Sequence, residues 1–429
     1  MIESMDRMFL PVGQGAFYCE RFKSPDSGRT MNFVYDCGVL LKDSGGSGVK
    51  LQWLENIIDT VFRNGETINA VFISHLHEDH ICGLKHLAER CGIEKIYLPL
   101  LDDESRQLML LNYVTKNLKS TNYDNDGMDD LAGQVFASED LSGNLQSVLK
   151  TDAQVIPVRG HGDSNEDVGG LELRDSALFT QEVKGPFSDW KYKLFCIKDD
   201  DAVRKVRTGL LAVARKYLGG NVDEVSPEVV AELVRSVRNH DNTDRQHVVD
   251  EICQVYKDKL GGVHFNTHSL VVYSGCENSN GALNMSEPCP PLVAGMFRDY
   301  FYPPHYHRHL YMSNKVGCLY TGDLNAKIMR YWSLLNSEFG AEWKTIGCVQ
   351  IPHHGANGSY HDDFLIKEIP WHVISAGLGN KYQHPSLSVL EKYQNVWEML
   401  MVVTQDPRSC VSFRIKRVGY AKISLAELS

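Results

Sequence analysis

The stretch Val71-Phe72-Ile73-Ser74-His75-Leu76-His77-Glu78-Asp79-His80 places three histidines and an aspartate within six residues, directly after an apolar run. The apolar run predicts a buried strand, and alternate residues at its end share one face, so His75 and His77 can point the same way. A helix that begins near Asp79 would bring Asp79 and His80 round to the same cavity. We therefore expect two adjacent metal positions, one at His75 and His77 and the other at Asp79 and His80. Imidazole and carboxylate ligands suit zinc, manganese or iron.

The composition is that of a folded protein, since 43% of the 429 residues are hydrophobic and 23% are charged. No apolar run reaches the ~18–20 residues of a membrane helix and no secretory segment is evident, so we expect a cytoplasmic protein without membrane contact. The net charge of −11 argues against a surface that coats nucleic acid without sequence preference. A phosphate-bearing substrate would therefore have to meet a local positive site, such as bound metal ions.

Short β-rich runs alternate with helical spacing in the first hundred residues, which favours an α/β fold. Apolar residues at 3.6-residue spacing then predict helices over 201–219, 226–240 and 244–260. Further strands are predicted at 269–273, 316–321, 348–352, 372–375, 401–404 and 410–415. The polar and helical segment between the two strand-rich parts is interpreted as an insertion.

The pattern His75-x-His77-x-Asp79-His80 after a strand resembles the metal-binding motif of the metallo-β-lactamase superfamily. The resemblance implies an α/β fold of the four-layer αββα type, in a single domain spanning residues 1–429. Its core would comprise residues 8–100 and 264–429. A helical and irregular insertion would occupy residues 101–263, and an inserted loop would occupy residues 275–314.

Two later motifs resemble the remaining metal ligands of that superfamily. An apolar strand ends in Gly322-Asp323, which resembles the bridging aspartate, and Pro352-His353-His354-Gly355 resembles the segment of the last metal histidine. Neighbouring residues on an extended chain face opposite ways, so only one histidine of this pair can bind metal. We favour His354 and assign His353 to the phosphate or the transition state. The resemblance implies two divalent cations, Zn²⁺ or Mn²⁺, held by His75, His77, Asp79, His80, Asp323 and His354.

Further motifs resemble one branch of the superfamily, the competence-type branch that includes the hydrolase domain of the DNA-uptake protein ComEC. They are Val12-Gly13-Gln14-Gly15, Val34-Tyr35-Asp36-Cys37-Gly38, Asn266 with Ser269, Ile374-Ser375-Ala376-Gly377, and His384-Pro385. The resemblance implies that Asp36 orients a ligand histidine, that Asn266 supports the site, and that His384 faces the substrate. The branch usually carries an acidic residue where this chain has Ala16.

Two histidines are candidates for a further ligand of the first metal position. They are His161, in Arg159-Gly160-His161-Gly162-Asp163, and His268, close to Asn266. Many superfamily members supply a histidine between the first motif and the bridging aspartate, whereas the competence-type branch lacks it, so both candidates stay open. His305 and His307 are expected to line the cleft or to lie in a solvated loop.

The resemblance implies a metal-dependent hydrolase, and a phosphodiesterase or nuclease is favoured. In that mechanism a hydroxide shared by two cations attacks phosphorus, Asp79 orients the hydroxide, and His353 and His384 contact the substrate. The substrate would be a phosphodiester or another small anion, or single-stranded nucleic acid. The alternatives are a small-molecule hydrolase, acting on a cyclic nucleotide, a phosphorylcholine ester or a lactone, and a non-enzymatic scaffold.

Five basic residues on the predicted helix over 201–219 could guide a nucleic-acid strand: Arg204, Lys205, Arg207, Arg215 and Lys216. Such a charge run is also typical of an ordinary solvated helix face, and we favour that interpretation. A protein partner, if the chain has one, is expected to bind through the insertions.

Overall fold

Two mixed β-sheets lie face to face in the computed structural model of the protein. The structure describes residues 4–23, 30–41, 47–120, 131–136, 138–161, 190–239, 244–260, 268–276, 283–285, 314–396 and 399–417. The strands are β1 (Ser4–Phe9), β2 (Phe17–Lys23), β3 (Thr30–Cys37), β4 (Thr67–Ile68), β5 (Ala70–Phe72), β6 (Gly92–Ile93), β7 (Lys95–Pro99), β8 (Gln154–Val158), β9 (Gly160–His161), β10 (Trp190–Lys198), β11 (His268–Cys276), β12 (Leu283–Met285), β13 (Gly317–Tyr320), β14 (Ile346–Gln350), β15 (Trp371–Ser375), β16 (Leu400–Val403) and β17 (Val411–Arg417). The helices are α1 (Ser47–Val61), α2 (Glu78–Ile81), α3 (Leu84–Arg90), α4 (Asp103–Ser120), α5 (Leu131–Phe136), α6 (Leu141–Leu149), α7 (Asp200–Leu218), α8 (Pro227–Arg238), α9 (Arg245–Leu260), α10 (Met329–Glu338), α11 (Asp363–Ile366) and α12 (Leu387–Leu390).

The first sheet has the strand order β12-β17-β1-β2-β3-β5-β7-β8. Neighbouring strands from β12 to β3 run antiparallel, whereas β3, β5, β7 and β8 are parallel. The chain passes from β3 through α1 to β5, and from β5 through α3 to β7, as the strand–helix alternation of the sequence predicts. The carboxyl ends of β3 and β5 therefore lie at the same edge of the sheet.

The second sheet has the strand order β16-β15-β14-β13-β11-β10-β9. Strands β13, β14, β15 and β16 are parallel, and β11 runs antiparallel to both of its neighbours. Strands β13, β14 and β15 are short and wholly buried, as expected for strands with covered faces, whereas the edge strand β16 is partly buried. Their carboxyl ends form a second edge at which loops can meet.

The segment 101–263, which the sequence predicts to be an insertion, contributes to both sheets. It supplies β8 to the first sheet and β9 and β10 to the second. Strand β10 pairs with β11 along all 9 of its residues. The alternation of apolar and charged side chains along β10 explains why this segment forms a strand. Trp190 and Tyr192 are buried between the sheets, while Lys191 and Lys193 form ion pairs with Glu342, at 3.0 and 3.5 Å.

Helices cover the outer face of each sheet. On the first sheet, α1, α3 and α4 bury apolar residues that include Ile58, Leu87 and Leu111. On the second sheet, α10 and α11 bury Trp332 and Phe364. The order helix, sheet, sheet, helix confirms the four-layer αββα arrangement that the sequence predicts.

The three helices predicted between 201 and 260 are present as α7, α8 and α9, and α8 and α9 pack against α4. Helix α7 follows Asp199, whose carboxylate accepts a hydrogen bond from the Ala202 amide at 3.0 Å. Helix α8 follows Ser226, which caps it, and Pro227 occupies the first turn. Within the described residues, no helix combines the length and apolar character needed to cross a bilayer.

A buried ion pair within the first sheet forms hydrogen bonds to the second sheet. Arg7 Nε donates to Glu20 Oε1 at 2.7 Å, and the exposed fractions of the two side chains are 0% and 2%. Glu20 also accepts hydrogen bonds from three residues of the second sheet, Tyr192, Ser274 and Tyr320, at 2.7, 2.5 and 3.0 Å. The largely apolar layer between the sheets therefore contains a paired polar network.

Candidate metal centre

Loops that follow strands of both sheets meet at one edge of the sandwich. This is the edge at which ligands bind in α/β sheets, because the carboxyl ends of the parallel strands lie there. The first motif follows β5, and the later motifs follow β13, β14 and β15. These loops carry the predicted site residues His75, His77, Asp79, His80, Asp323, His353, His354 and His384.

Two groups of side chains form where these loops meet. Within each group the ligand atoms all lie within 4.8 Å of one another. The first group is His75, His77 and Asp323, and the second is Asp79, His80 and His354. The structure thus brings together the six side chains that the sequence predicts as metal ligands. Their coordination of metal stays a prediction.

The Asp323 carboxylate lies between the two groups. Its Oδ2 is 3.6 Å from His75 Nε2, in the first group. Its Oδ1 is 3.4 Å from His80 Nε2 and 3.9 Å from His354 Nε2, in the second group. One oxygen therefore faces each group, which is the placement that a carboxylate bridging two cations requires.

Three buried polar atoms in these groups have no hydrogen-bond partner among the described residues. They are His80 Nε2, His354 Nε2 and Asp323 Oδ1. Such atoms are rare in folded proteins, because desolvation without a compensating bond is unfavourable. Imidazole nitrogen and carboxylate oxygen are common ligands of divalent cations, so the residues fit the cations that the sequence motifs imply.

Asp36, at the end of β3, holds His80 in place. Asp36 Oδ2 accepts a hydrogen bond from His80 Nδ1 at 2.8 Å, and both side chains are almost wholly buried. The Ser74 amide and hydroxyl also donate to Asp36, each at 2.7 Å. A carboxylate can only accept, so His80 Nδ1 carries the proton and Nε2 is left to face the second group. These contacts fix the His80 ring, and the role of Asp36 in orienting a metal ligand stays a prediction.

The opening glycine motifs support the backbone of the first motif. A Cβ on Gly38 would lie 2.5 Å from both the Asp79 carbonyl carbon and the His80 nitrogen, so only glycine allows this close approach. The Ala16 amide donates to the Asp79 carbonyl at 3.0 Å. At Ala16, where the competence-type branch has an acid, the contact to the metal loop is therefore made by the main chain.

His353 and His354 do not face opposite ways on an extended segment, as the sequence suggested. Both lie in a 3-10 turn, His353–Gly355, and have positive φ angles of 51° and 55°. Left-handed backbone is uncommon for residues other than glycine and is often found at functional sites. The turn lets His354 join Asp79, at 3.3 Å, while His353 Nε2 lies 3.7 Å from Asp323. Both rings therefore border the same cavity.

The electrostatics differ between the two groups. In the second group, burial alone would lower the pKa of His80 and of His354, but neighbouring carboxylates outweigh it and raise both, so a cation bound there would displace protons. The first group is different. Burial lowers the pKa of His77 to about 4, so this ring is neutral at pH 7. Burial alone would raise the pKa of Asp323, but His353, His80 and other neighbouring imidazoles outweigh it and hold that pKa well below its usual range. Neutral imidazole and ionised carboxylate are the forms that bind metal.

A cavity of about 600 Å³ opens directly above the two groups. Asp79, Asp323, His353 and His354 line it, and His384 lies at its side with its ring 5.8 Å from that of His353. Burial lowers the pKa of His384 to about 4, and its Nδ1 has no hydrogen-bond partner among the described residues. His384 is therefore a neutral imidazole beside the cavity.

The opposite side of the cavity consists of residues that the sequence did not single out. Helix α4 contributes Asn112 and Lys116, and helix α9 contributes Tyr256 and Lys257. Lys381, in the loop after β15, also lines the cavity. The only signal in the sequence is amphipathic spacing on two helices, which does not reveal that the helices pack beside the site.

The other sequence candidates lie elsewhere or cannot be placed. His268 is buried at the start of β11 but is in neither metal-type group. The backbone of His161 forms the edge strand β9, and its side chain lies outside the described residues, as do Asn266, His305 and His307. Five basic residues of α7 are absent from the lining of the cavity: Arg204, Lys205, Arg207, Arg215 and Lys216.

Comparison with known proteins agrees with this architecture. Residues 33–171 match the family model described as the metallo-beta-lactamase superfamily. No curated protein matches the chain significantly. The αββα sandwich and this match identify the metallo-β-lactamase fold. Together with the two His/Asp groups, they support a metal-dependent hydrolase.

Proposed function

We propose that the protein is a metal-dependent phosphodiesterase that uses two divalent cations, Zn²⁺ or Mn²⁺. The observation that carries this proposal is the position of Asp323, with one carboxylate oxygen toward each of two His/Asp groups. The resemblance of the glycine and histidine motifs to the competence-type branch favours a phosphodiester substrate, in a nucleotide or a single-stranded nucleic acid.

Each residue of the centre has a defined task in this proposal. His75 and His77 would hold one cation. Asp79, His80 and His354 would hold the other, and Asp323 would contact both. The cations supply Lewis acidity and lower the pKa of a bound water. Asp36 keeps the His80 ring oriented through its 2.8 Å hydrogen bond.

The reacting phosphate would sit between the metal groups and the imidazoles of His353 and His384. Both histidines have a pKa lowered by burial, so each ring is neutral and can donate one N–H to a phosphoryl oxygen. Such fixed donors stabilise negative charge that develops in the transition state. Asp79 would also orient the attacking water.

A small-molecule hydrolase is the second candidate function. The cavity volume of about 600 Å³ is within the range of pockets that enclose a single small ligand. A cyclic nucleotide, a phosphorylcholine ester or a lactone would fit this class. Hydrolysis of a lactone but of no phosphodiester would favour this candidate.

The proposal is tested by metal analysis and by hydrolysis of bis-p-nitrophenyl phosphate. We expect two equivalents of bound metal in the purified protein and turnover that EDTA abolishes. Asp79→Ala should lower kcat by at least about 100-fold, because it removes a ligand and the residue that orients water. Asp223→Ala removes an exposed carboxylate from the loop before α8 and should leave kcat unchanged. Bound metal without turnover, or full turnover in Asp79→Ala, would contradict the proposal.

A further inference from the structure

The wall of the cavity that faces the metal groups is formed by two helices, α4 and α9. They run antiparallel, since Lys119 near the end of α4 pairs with Asp250 near the start of α9, at 2.7 Å. At the other end, the Tyr256 hydroxyl donates to the Leu108 carbonyl at 2.7 Å. These contacts fix the two helices, which form the wall, relative to each other.

Each helix contributes one lysine to the cavity lining. The helix residues beside that lysine are apolar or carry a side-chain amide. On α4, Lys116 lies one turn after Asn112, which is 5% exposed. On α9, Lys257 lies one turn after Cys253, and both line the cavity. Lys381, in the loop after β15, lines the same cavity, and its ammonium is 5.0 Å from the ring centre of Tyr382.

These three lysines have no ion-pair partner among the described residues, in contrast to several lysines outside the cavity. Lys198 and Lys216, for example, pair with Asp102 and Glu251 at 2.7 and 2.5 Å. Three carboxylates, Glu78, Asp79 and Asp323, line the same cavity. Because Asp79 and Asp323 belong to the metal-type groups, the three ammonium groups exceed the one carboxylate that remains in the lining, in a chain of net charge −11.

The lysines and the metal groups border one cavity, since Lys116 and Lys257 line it together with Asp79 and Asp323. Desolvation lowers the pKa of Lys116, and an anion placed beside it would oppose that shift. A negatively charged group bound here would therefore be close to, but separate from, the metal position.

We propose that Lys116, Lys257 and Lys381 form a subsite for a second phosphate group of the substrate. This inference rests on the proposed phosphodiesterase function and extends it. The metal groups would hold the phosphate that reacts, and the lysine subsite would hold a neighbouring phosphate that does not react. The substrate is then a nucleotide with at least two phosphates, from either a linear strand or a cyclic dinucleotide.

The test compares two competitive inhibitors of bis-p-nitrophenyl phosphate hydrolysis that differ by one phosphate. They are thymidine 5′-monophosphate and thymidine 3′,5′-bisphosphate. We expect the bisphosphate to bind at least about tenfold more tightly, because hydrogen bonds to charged groups contribute roughly 1.5–3 kcal/mol. Lys116→Ala and Lys257→Ala should each remove most of that ratio, and Lys116→Arg should restore it.

Lys259→Ala is the matched control, since it removes the same charge from the same helix at an exposed position outside the cavity. It should keep the wild-type ratio. An equal affinity for the two inhibitors, or an unchanged ratio in both lysine variants, would overturn the subsite. Equal loss in the control would show a general charge effect and would also overturn it.

The proposed function and the subsite can fail separately. Absence of turnover with bis-p-nitrophenyl phosphate contradicts the phosphodiesterase, while calorimetric titration of the same two nucleotides still reports whether the lysines prefer the bisphosphate. Hydrolysis of 5′-phosphorylated thymidine dinucleotide compared with a cyclic dinucleotide then identifies the source of the second phosphate. If the lysines raise kcat/KM for the linear or for the cyclic compound, that compound is the source of the second phosphate. If they raise kcat/KM for neither compound, the subsite is contradicted.

Discussion

Asp36 combines a buried charge with an unusual backbone conformation. Its φ angle is +54°, its carboxylate is fully buried, and it accepts hydrogen bonds from Ser74 and His80. Asparagine tolerates the same left-handed conformation and has nearly the same shape. A change of this residue to asparagine therefore removes the charge with little disturbance of the backbone.

We predict that Asp36→Asn weakens metal binding by about 10–100-fold, because His80 loses the carboxylate that fixes its orientation and raises its basicity. The measurement is metal affinity by competition with a coloured chelator. Asp6→Asn is a suitable control, since Asp6 is also buried and paired, with Arg414 at 2.6 Å, but lies outside both metal-type groups. Equal metal affinity in wild type and Asp36→Asn would contradict the orienting role.

The sequence reveals some of these residues and conceals others for physical reasons. The groups His75 with His77 and Asp79 with His80 follow from local geometry, because alternate residues after a strand share a face and a helix begins at Glu78. The left-handed turn at His353 could not be foreseen, because backbone conformation outside regular elements depends on packing. For the same reason the spacing on an extended chain gave a wrong orientation for this pair.

At the scale of elements, the wall helices depend on a small number of side-chain contacts. The hydroxyl of Tyr256, a buried residue, joins α9 to α4 through the Leu108 carbonyl. The same ring lines the cavity. Stability of the wall and shape of the cavity are therefore linked through one residue.

We predict that Tyr256→Phe lowers the free energy of unfolding by about 0.5–1.5 kcal/mol, since it removes one buried hydrogen bond and keeps the ring. Urea denaturation followed by circular dichroism measures this change. Tyr217→Phe is the comparison, because its hydroxyl bonds the half-exposed Glu251 of α9 at 2.9 Å and should contribute less. A larger loss of unfolding free energy in Tyr217→Phe than in Tyr256→Phe would contradict the greater contribution expected of the α4–α9 hydrogen bond.

Elements with strong local signals could be predicted, and elements that depend on distant partners could not. The apolar spacing of α7, α8 and α9, with the capping residue Ser226, is a local property and predicts helices. Strand β10 was missed although Trp190, Tyr192 and the intervening lysines alternate as in a half-buried strand. Its partner, β11, lies about 70 residues further on, and no local signal identifies such pairing.

At the scale of the whole molecule, the Arg7–Glu20 pair of the first sheet is hydrogen-bonded to the second sheet. Glu20 lies in the first sheet, and three of its hydrogen-bond donors lie in the second. Removal of one member of a buried ion pair leaves the other charge without compensation. Loss of the pair is therefore expected to disturb the alignment of the sheets and to lower the stability of the fold.

We predict that Glu20→Gln destabilises the protein by about 3–5 kcal/mol, because Arg7 then remains charged and buried without a counter-ion. Thermal and urea unfolding measure the loss. The double variant Arg7→Met/Glu20→Gln should recover part of it, since the unpaired charge is gone. A single variant as stable as the wild type would show that the network does not hold the sheets together.

The pairing of β1 with β17 has a consequence for how the protein is made. The Arg414 side chain bonds Asp6 across 408 residues of sequence. Ribosomes add about 5–20 residues per second, so β1 waits roughly 20–80 seconds for this neighbour. During that interval its open edge can pair with another nascent chain. Aggregation during translation, more than instability of the finished fold, is therefore the expected obstacle to producing the protein, and slower growth or added chaperones should relieve it.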